Sequence, residues 1–207
     1  MAAGRFITFE GTDGSGKSTQ ARLLSEHLRG EGRDVVLTRE PGGSPGAAEI
    51  RALLLEGPPD RWSPEAEILL FTAARRDHLE KTIEPAIRAG KIVICDRFAD
   101  STRTYQGVRR EGLRAVVDSL HERMIGREPD LTFIIDTEPD TGLARALSRR
   151  TAERRFEAFG QEMQARIRAE FLALAQEHPH RCVVIDGDRD IDAVARDIAR
   201  VAGERLT

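Results

Sequence analysis

The chain has 207 residues, 32% of them charged and 40% hydrophobic, and a formal net charge of −3. That length suits one domain of about 100 to 250 residues with a real buried core. The slightly acidic balance argues against a nucleic-acid-binding protein held by broad positive potential, so the expected acceptor is small. No apolar run approaches the roughly 18 residues of a membrane span, and no charged leader precedes an apolar stretch. The reading is a soluble, cytoplasmic protein with no membrane partner.

Short apolar runs alternate with longer amphipathic stretches, which is the pattern of βαβ units. In chain order, strands are predicted over 5–10, 34–38, 91–96, 131–136 and 181–186. Helices are predicted over 17–30, 47–56, 64–89 with a break at Pro85, 113–125, 141–150, 161–177 and 191–205. The strand runs are too continuously Val, Ile and Phe for a half-exposed antiparallel sheet. They predict a three-layer α/β fold, with a five-stranded parallel sheet flanked by helices on both faces. Gly30, Gly57, Gly90 and Gly126 sit where helices should stop. Cys95 and Cys182 fall inside strand runs, where a thiol packs as a small hydrophobe. Neither a disulfide nor a cysteine metal site is expected, in keeping with a reducing compartment. No repeat or linker divides the chain, so a single domain is expected.

The segment Gly11-Thr12-Asp13-Gly14-Ser15-Gly16-Lys17-Ser18-Thr19 fits G-x-x-x-x-G-K-[ST] and joins the first strand to the first helix. Glycines there let backbone N–H groups turn inward around a phosphate, and the helix beginning near Gly16 adds the positive end of its dipole. Lys17 would reach the β and γ phosphates of a nucleoside triphosphate, and the Ser18 hydroxyl would hold Mg²⁺. Lysine occurs only at positions 17, 81 and 91, so Lys17 stands out from an arginine-rich surface.

The second chemical element is Ile92-Val93-Ile94-Cys95-Asp96-Arg97-Phe98, a strand that delivers a carboxylate and a guanidinium to its C-terminal end. In an open parallel sheet that edge is where ligands sit. Asp96 is the expected acidic partner for Mg²⁺, and Arg97 can fork onto a second phosphate. Asp136, at the end of another strand, competes for the metal role, and Asp96 ranks first because Arg97 follows it.

Taken with Phe6–Gly11, Thr38-Arg39-Glu40-Pro41-Gly42-Gly43, Leu69–Arg76, Ser101-Thr102-Arg103-Thr104-Tyr105-Gln106-Gly107, Pro129-Asp130-Leu131 and Arg155-Phe156-Glu157, these residues carry a resemblance. Over essentially its whole length the chain resembles the bacterial thymidylate kinases, which are P-loop enzymes of the nucleoside monophosphate kinase kind. The resemblance implies transfer of the γ-phosphate of ATP to dTMP, with Mg²⁺, in dTTP synthesis, by a homodimer. Leu69, Leu70, Ala73 and Ala74 serve equally as dimer surface or as ordinary core.

Carried over by position, the resemblance implies that Asp13 accepts a hydrogen bond from the dTMP 3′-hydroxyl. Arg51 and Arg97 would face the acceptor phosphate with Glu40 as their organiser, and Arg39 is a weaker candidate. Phe71 would stack on thymine and Arg75, one turn later, would donate to its carbonyl. Ser101, Thr102, Tyr105 and Gln106 would line the nucleoside, with Tyr105 crowding a ribose 2′-hydroxyl. A lid at about 148–158 would supply the catalytic cations, since Gly14 leaves the P-loop without an arginine. Arg149 and Arg155 are the expected pair, and Arg150 and Arg154 are the alternates because Arg154 departs from the family pattern.

Other classes fit less well. A guanine-reading switch needs Asn-Lys-x-Asp, and the chain contains no Asn. An ATP-driven assembly module usually carries a second acid after the strand-end Asp, where Arg97 stands here. Another P-loop deoxynucleotide or deoxynucleoside kinase is the nearer alternative. A nucleoside acceptor would need a carboxylate base, whereas Arg51 and Arg97 suit a phosphate-bearing one.

Overall fold

Phe6, Ile7 and Phe9 are all fully buried although neighbouring strand residues point to opposite faces, so the first strand has no solvent side. The structure is a computed structural model and describes residues 4–58, 60–142 and 161–205. Five strands, β1 (Arg5–Glu10), β2 (Val35–Arg39), β3 (Ile92–Asp96), β4 (Leu131–Asp136) and β5 (Cys182–Asp186), form one sheet in the order β2-β3-β1-β4-β5. Every neighbouring pair is parallel, with Phe9 opposite Asp96 on one side and Phe133 on the other.

Helices cover both faces, as the sequence predicts. On one, Ile7, Phe9, Ile94 and Phe133 pack with Leu24 and Leu28 of α1 (Lys17–Gly30) and with Val194 and Ile198 of α8 (Ile191–Arg205). On the other, Phe6, Val93 and Cys95 meet Leu79, Ile83 and Ala86 along the path of α3 (Pro64–His78) and α4 (Glu84–Arg88). Further along that face Ile134 and Cys182 pack with Tyr105 of α5 (Ala99–Tyr105) and with Ile167 and Phe171 of α7 (Gln161–Glu177). Phe6, Phe9, Phe98, Phe133 and Phe171 are each under 2% exposed. At about 1.5–3 kcal/mol apiece they make the sheet a rigid platform for the loops at its C-terminal edge. Two shorter helices, α2 (Pro45–Leu55) and α6 (Leu113–Leu120), flank α3.

The face under α5 is polar at its centre. Thr8 and Thr132 share a hydroxyl hydrogen bond of 2.8 Å, and Arg181 donates to Thr132 and, through both terminal nitrogens, to Asp100 of α5 at 2.6 and 3.0 Å. Arg103 also donates to Asp100, at 2.7 Å. Asp100, Arg103 and Arg181 are buried, and removing one partner of such a group costs about 3–5 kcal/mol. This network pins α5 to the sheet.

The first and fourth strands have the predicted bounds, and the other three are displaced or shortened by one residue. The predicted break at Pro85 is a widening instead: Leu79–Ile83 form a π-helical turn and the helical path continues through Pro85 into α4. Proline lacks the N–H that an α-helix needs and crowds the carbonyl one turn earlier, and a π turn just ahead of it absorbs both. A second π turn, His121–Ile125, ends the helical stretch that α6 begins. Helix α1 ends at Gly30 as expected, and the positive φ of 79° in the turn that follows falls on Gly32. Helix α5 was not expected, because its polar residues, Asp100 to Thr104, hide the hydrophobic periodicity. The predicted helix over 141–150 runs from 143 onward outside the described residues. Both cysteines are buried, and burial pushes the Cys95 thiol well up and that of Cys182 up to about 12.

Candidate active site

The chain leaves β1 at Glu10 and re-enters a helix at Lys17, so the intervening loop sits at the C-terminal edge of the sheet, between β3 and β4. Gly11 has φ 136°, and a Cβ there would stand 2.4 Å from the Ile135 carbonyl oxygen, which restricts the position to glycine. The Ser15 N–H donates to the Thr12 carbonyl at 3.3 Å and tightens the loop. Gly16 begins α1 in a left-handed conformation without a side-chain cap, leaving the first-turn N–H groups of α1 for an anion. Lys17 folds over this loop, donating to the Thr12 carbonyl at 2.5 Å and to Ser15 Oγ at 3.3 Å. It is 6% exposed. Burial, with Arg97 nearby, brings its ammonium down to about 8, against the pull of Asp13, Asp96 and Glu10.

Ser18 donates to Asp96 Oδ2 at 2.5 Å, and Asp96 Oδ1 is buried with no hydrogen-bond partner. A hydroxyl beside a carboxylate with a spare buried oxygen is an oxygen donor set suited to a hard divalent cation that draws its other ligands from phosphates and water. Asp136 is engaged elsewhere: Arg168 forks onto both of its oxygens at 2.6 and 2.9 Å.

Beside the loop lies a cavity of about 300 Å³. Asp13 and Ser18 line it from the P-loop side, Glu40 from the loop after β2, Arg51 from α2, and Phe71 and Arg75 from α3. Asp96, Arg97, Ser101, Thr102, Tyr105 and Gln106 close it from β3 and α5. The sequence thus named most of one continuous wall. Arg149, Arg150, Arg154 and Arg155 lie outside the described residues.

Arg97 is the hub. It has a φ of 71°, an uncommon conformation for a side chain with a Cβ. Its guanidinium donates to Ser101 Oγ at 2.8 Å, the Gly11 carbonyl at 3.1 Å, Asp13 Oδ1 at 2.5 Å and Tyr105 Oη at 3.2 Å. Tyr105 in turn donates to Asp13 Oδ2 at 3.1 Å. Burial alone would raise the Asp13 carboxyl, but Arg97 and Lys17 hold it below its ordinary value. Burial alone would lower Arg97, and the surrounding oxygens raise it instead, so it stays charged.

The thymidylate kinase family model matches residues 9–198. The chain belongs to the thymidylate kinase family. It is 68% identical to the thymidylate kinase of Ruegeria pomeroyi over 198 residues, spanning 96% of this chain and 94% of that one. It is 50% identical to that of Caulobacter vibrioides over 207 residues, spanning 100% and 99%. The crystal structure of thymidylate kinase from Ehrlichia chaffeensis superposes with a TM-score of 0.78 at 38% identity, covering 97% of this chain and 99% of that one. Membership makes the chain a P-loop nucleoside monophosphate kinase.

In this member of the thymidylate kinase family, α3 presents Glu67, Phe71, Arg75 and His78 at helical spacing. Arg75, 3% exposed, donates through Nε to Glu40 Oε2 at 2.7 Å and through Nη2 to the Phe98 carbonyl at 3.1 Å and Thr102 Oγ1 at 3.0 Å. The other Glu40 oxygen meets His78 Nδ1 at 3.0 Å, and His78 Nε2 lies 2.8 Å from Thr38 Oγ1. Glu40 is thus bonded to Arg75. Arg51 donates to the Pro41 carbonyl at 2.5 Å, and the Glu40–Pro41 peptide is cis. Gln106 donates to the buried Glu67 at 3.1 Å. Sequence reasoning missed His78, although its place three residues after Arg75 on one helix could have revealed it.

Proposed function

We propose that the protein transfers the γ-phosphate of ATP to dTMP, giving dTDP and ADP, with dTMP held in the cavity beside the P-loop. The observation that carries this reading is Arg97, one cation bonded at once to Asp13 of the P-loop and to Ser101 and Tyr105 of α5. Donor loop and acceptor wall share a single guanidinium.

The chemistry asks for alignment and neutralisation of charge more than for covalent steps. The glycine turns from Gly11 to Gly16 and the start of α1, through Thr19, hold the triphosphate, and Lys17 swings from the Thr12 carbonyl onto its β and γ oxygens. Ser18 and Asp96 would hold Mg²⁺, which when bound neutralises the triphosphate and polarises the transferred group. Arg97 and Arg51 take the acceptor phosphate. Asp13 accepts from the sugar 3′-hydroxyl, and Tyr105 fills the space of a 2′-hydroxyl. Phe71 offers its ring to thymine, and Arg75, held by Glu40, donates to the base carbonyl while Thr102 and Gln106 close the wall. The acceptor phosphate is already ionised near neutral pH, so no general base is required.

We propose one kinase unit in which the segment at about 148–158, outside the described residues, acts as a lid and supplies Arg149 and Arg155 as the cations for the transferring group. We further propose that it works as a cytoplasmic homodimer. No helix among the described residues is long and apolar enough to cross a membrane, and Leu69, at 59% exposure on α3, supports a packing surface there. The test is coupled ADP release with Mg·ATP against dTMP, dUMP, UMP, dCMP, dGMP, AMP and thymidine. Strong preference for dTMP, with UMP far poorer than dUMP, is the expected result. Activity on thymidine alone, or ADP release without any acceptor, overturns the assignment.

A further inference from the structure

Glu10 is the last residue of β1 and is 0% exposed. Its carboxylate makes two hydrogen bonds, both to the segment that follows β3: Oε1 accepts from the Phe98 N–H at 2.7 Å and Oε2 from Ser101 Oγ at 2.6 Å. Its chain neighbours hold the same segment. The Phe9 carbonyl accepts from the Arg97 N–H at 2.9 Å, and the Gly11 carbonyl accepts from the Arg97 guanidinium at 3.1 Å. Three successive residues therefore grip Arg97 at its backbone, at the next peptide and at its head group. Ser101 completes a ring, because the hydroxyl that donates to Glu10 accepts from Arg97 at 2.8 Å.

A buried carboxylate in this place is expensive. Among the described residues no lysine or arginine hydrogen-bonds to Glu10, and burial, with Asp100 close by, pushes its carboxyl up to about 7. A neutral side chain of the same shape would be easier to bury and would fold at least as well. What only the carboxylate does is accept from both the Phe98 N–H and the Ser101 hydroxyl. The Ser101 proton is thereby turned away from Arg97, the Ser101 lone pair faces the guanidinium, and the turn holds Arg97 at φ 71°.

We infer that Glu10 is a positioning residue for phosphoryl transfer: through Phe98 and Ser101 it fixes Arg97 where its guanidinium spans the P-loop and the acceptor cavity. The inference rests on the function proposed above. Glu10 hydrogen-bonds to Phe98 and Ser101 and acts chiefly through Arg97, its pull on Lys17 being the last of those that raise that ammonium, so its loss should misplace a transition-state contact and largely spare the ATP-binding loop.

The experiment compares wild type, Glu10→Gln, Ser101→Ala and the double variant by steady-state kinetics and thermal melting. Glutamine keeps the acceptor for Phe98 N–H but points an amide N–H₂ at Ser101, reversing that hydrogen bond. The expected result is a fall in kcat of about 10- to 100-fold, of the size that small misplacements of catalytic groups produce. The KM for ATP should stay within about twofold, and the melting temperature at or above that of wild type at pH 7.5. The double variant should lose little more than the worse single one, because both act on one ring. A Glu10→Gln enzyme with kcat within about twofold of wild type overturns the inference, as does a loss of kcat accompanied by a lower melting temperature or by additive losses in the double variant. A wild-type protein inactive on dTMP would instead remove the functional reading itself, so the two failures are distinguishable.

Discussion

Arg97 Nη2 stands 2.5 Å from Asp13 Oδ1, and this contact ties the phosphate-binding loop to the turn that opens the acceptor cavity. The pair is partly exposed, 18% on the arginine side and 26% on the aspartate side, so its loss is screened relative to a fully buried pair. Asp13→Asn should cost about 1–2 kcal/mol in unfolding free energy by denaturant titration. In kinetics it should raise the KM for dTMP about tenfold or more, since Asn reverses one acceptor for the sugar hydroxyl and releases Arg97. An unchanged KM for dTMP would remove Asp13 from the acceptor site.

Lys17 is brought down to about 8 by burial and by Arg97. Above that pH the ammonium in the free protein has begun to lose its proton, and a bound triphosphate favours the charged form and restores it. ATP binding should therefore take up roughly half a proton or more at pH 8.5 and little at pH 7. Titration calorimetry in two buffers of different ionisation enthalpy measures this uptake. No buffer dependence at pH 8.5 would mean that Lys17 keeps its proton throughout.

His78 supports Glu40, which supports Arg75, all three buried in one line. His78→Leu should leave one Glu40 oxygen without its donor and loosen Arg75, raising the KM for dTMP about tenfold while kcat falls less. His78→Asn, which can place an N–H near the position of Nδ1, should recover part of that loss. Equal losses in both variants, or a loss confined to kcat, would show that the line does not act through the base site.

The sheet was legible because its strands are continuous apolar runs that bury both faces, and the P-loop because glycine, lysine and serine each have a mechanical reason at their spacing. Phe71 and Arg75 were legible only through resemblance, since four-residue spacing on a helix fits core packing as well. The polar underside of the site was not legible at all. Glu10 meets Ser101, and Asp100 meets Arg181, at separations of 91 and 81 positions, and no local pattern announces a charge that is satisfied only in the folded state. Helix α5 was missed for the same reason: between Ala99 and Tyr105 its buried residues are Asp100, Thr102, Arg103 and Thr104, which read as surface until Arg181 and Glu128 are placed beside them.

The arginines of the proposed lid lie outside the described residues, and kinetics test them directly. Arg149→Ala and Arg155→Ala should each lower kcat by about 10³-fold or more with far smaller changes in either KM, as expected of cations that act on the transferring group. If Arg150→Ala and Arg154→Ala alone produce that loss, the register is displaced by one residue.

Glu10 also sets a slope of stability against pH. Its carboxyl moves from an ordinary 4.5 to about 7 in the folded protein, chiefly through burial and then through Asp100. Between those values the folded state keeps a proton that the unfolded chain has released, so stability falls as pH rises through the window. Its contribution is complete below pH 4.5 and lost above pH 7, an amount of up to about 3 kcal/mol. Glu10→Gln has no such group. The melting temperature of Glu10→Gln relative to wild type should therefore climb by several degrees from pH 5 to pH 7.5. Other titrating residues are common to both proteins and largely cancel in that difference, which leaves Glu10 as the source of the slope. A difference that stays flat across the window would mean that Glu10 is ionised throughout, with its two hydrogen bonds offsetting the cost of burial.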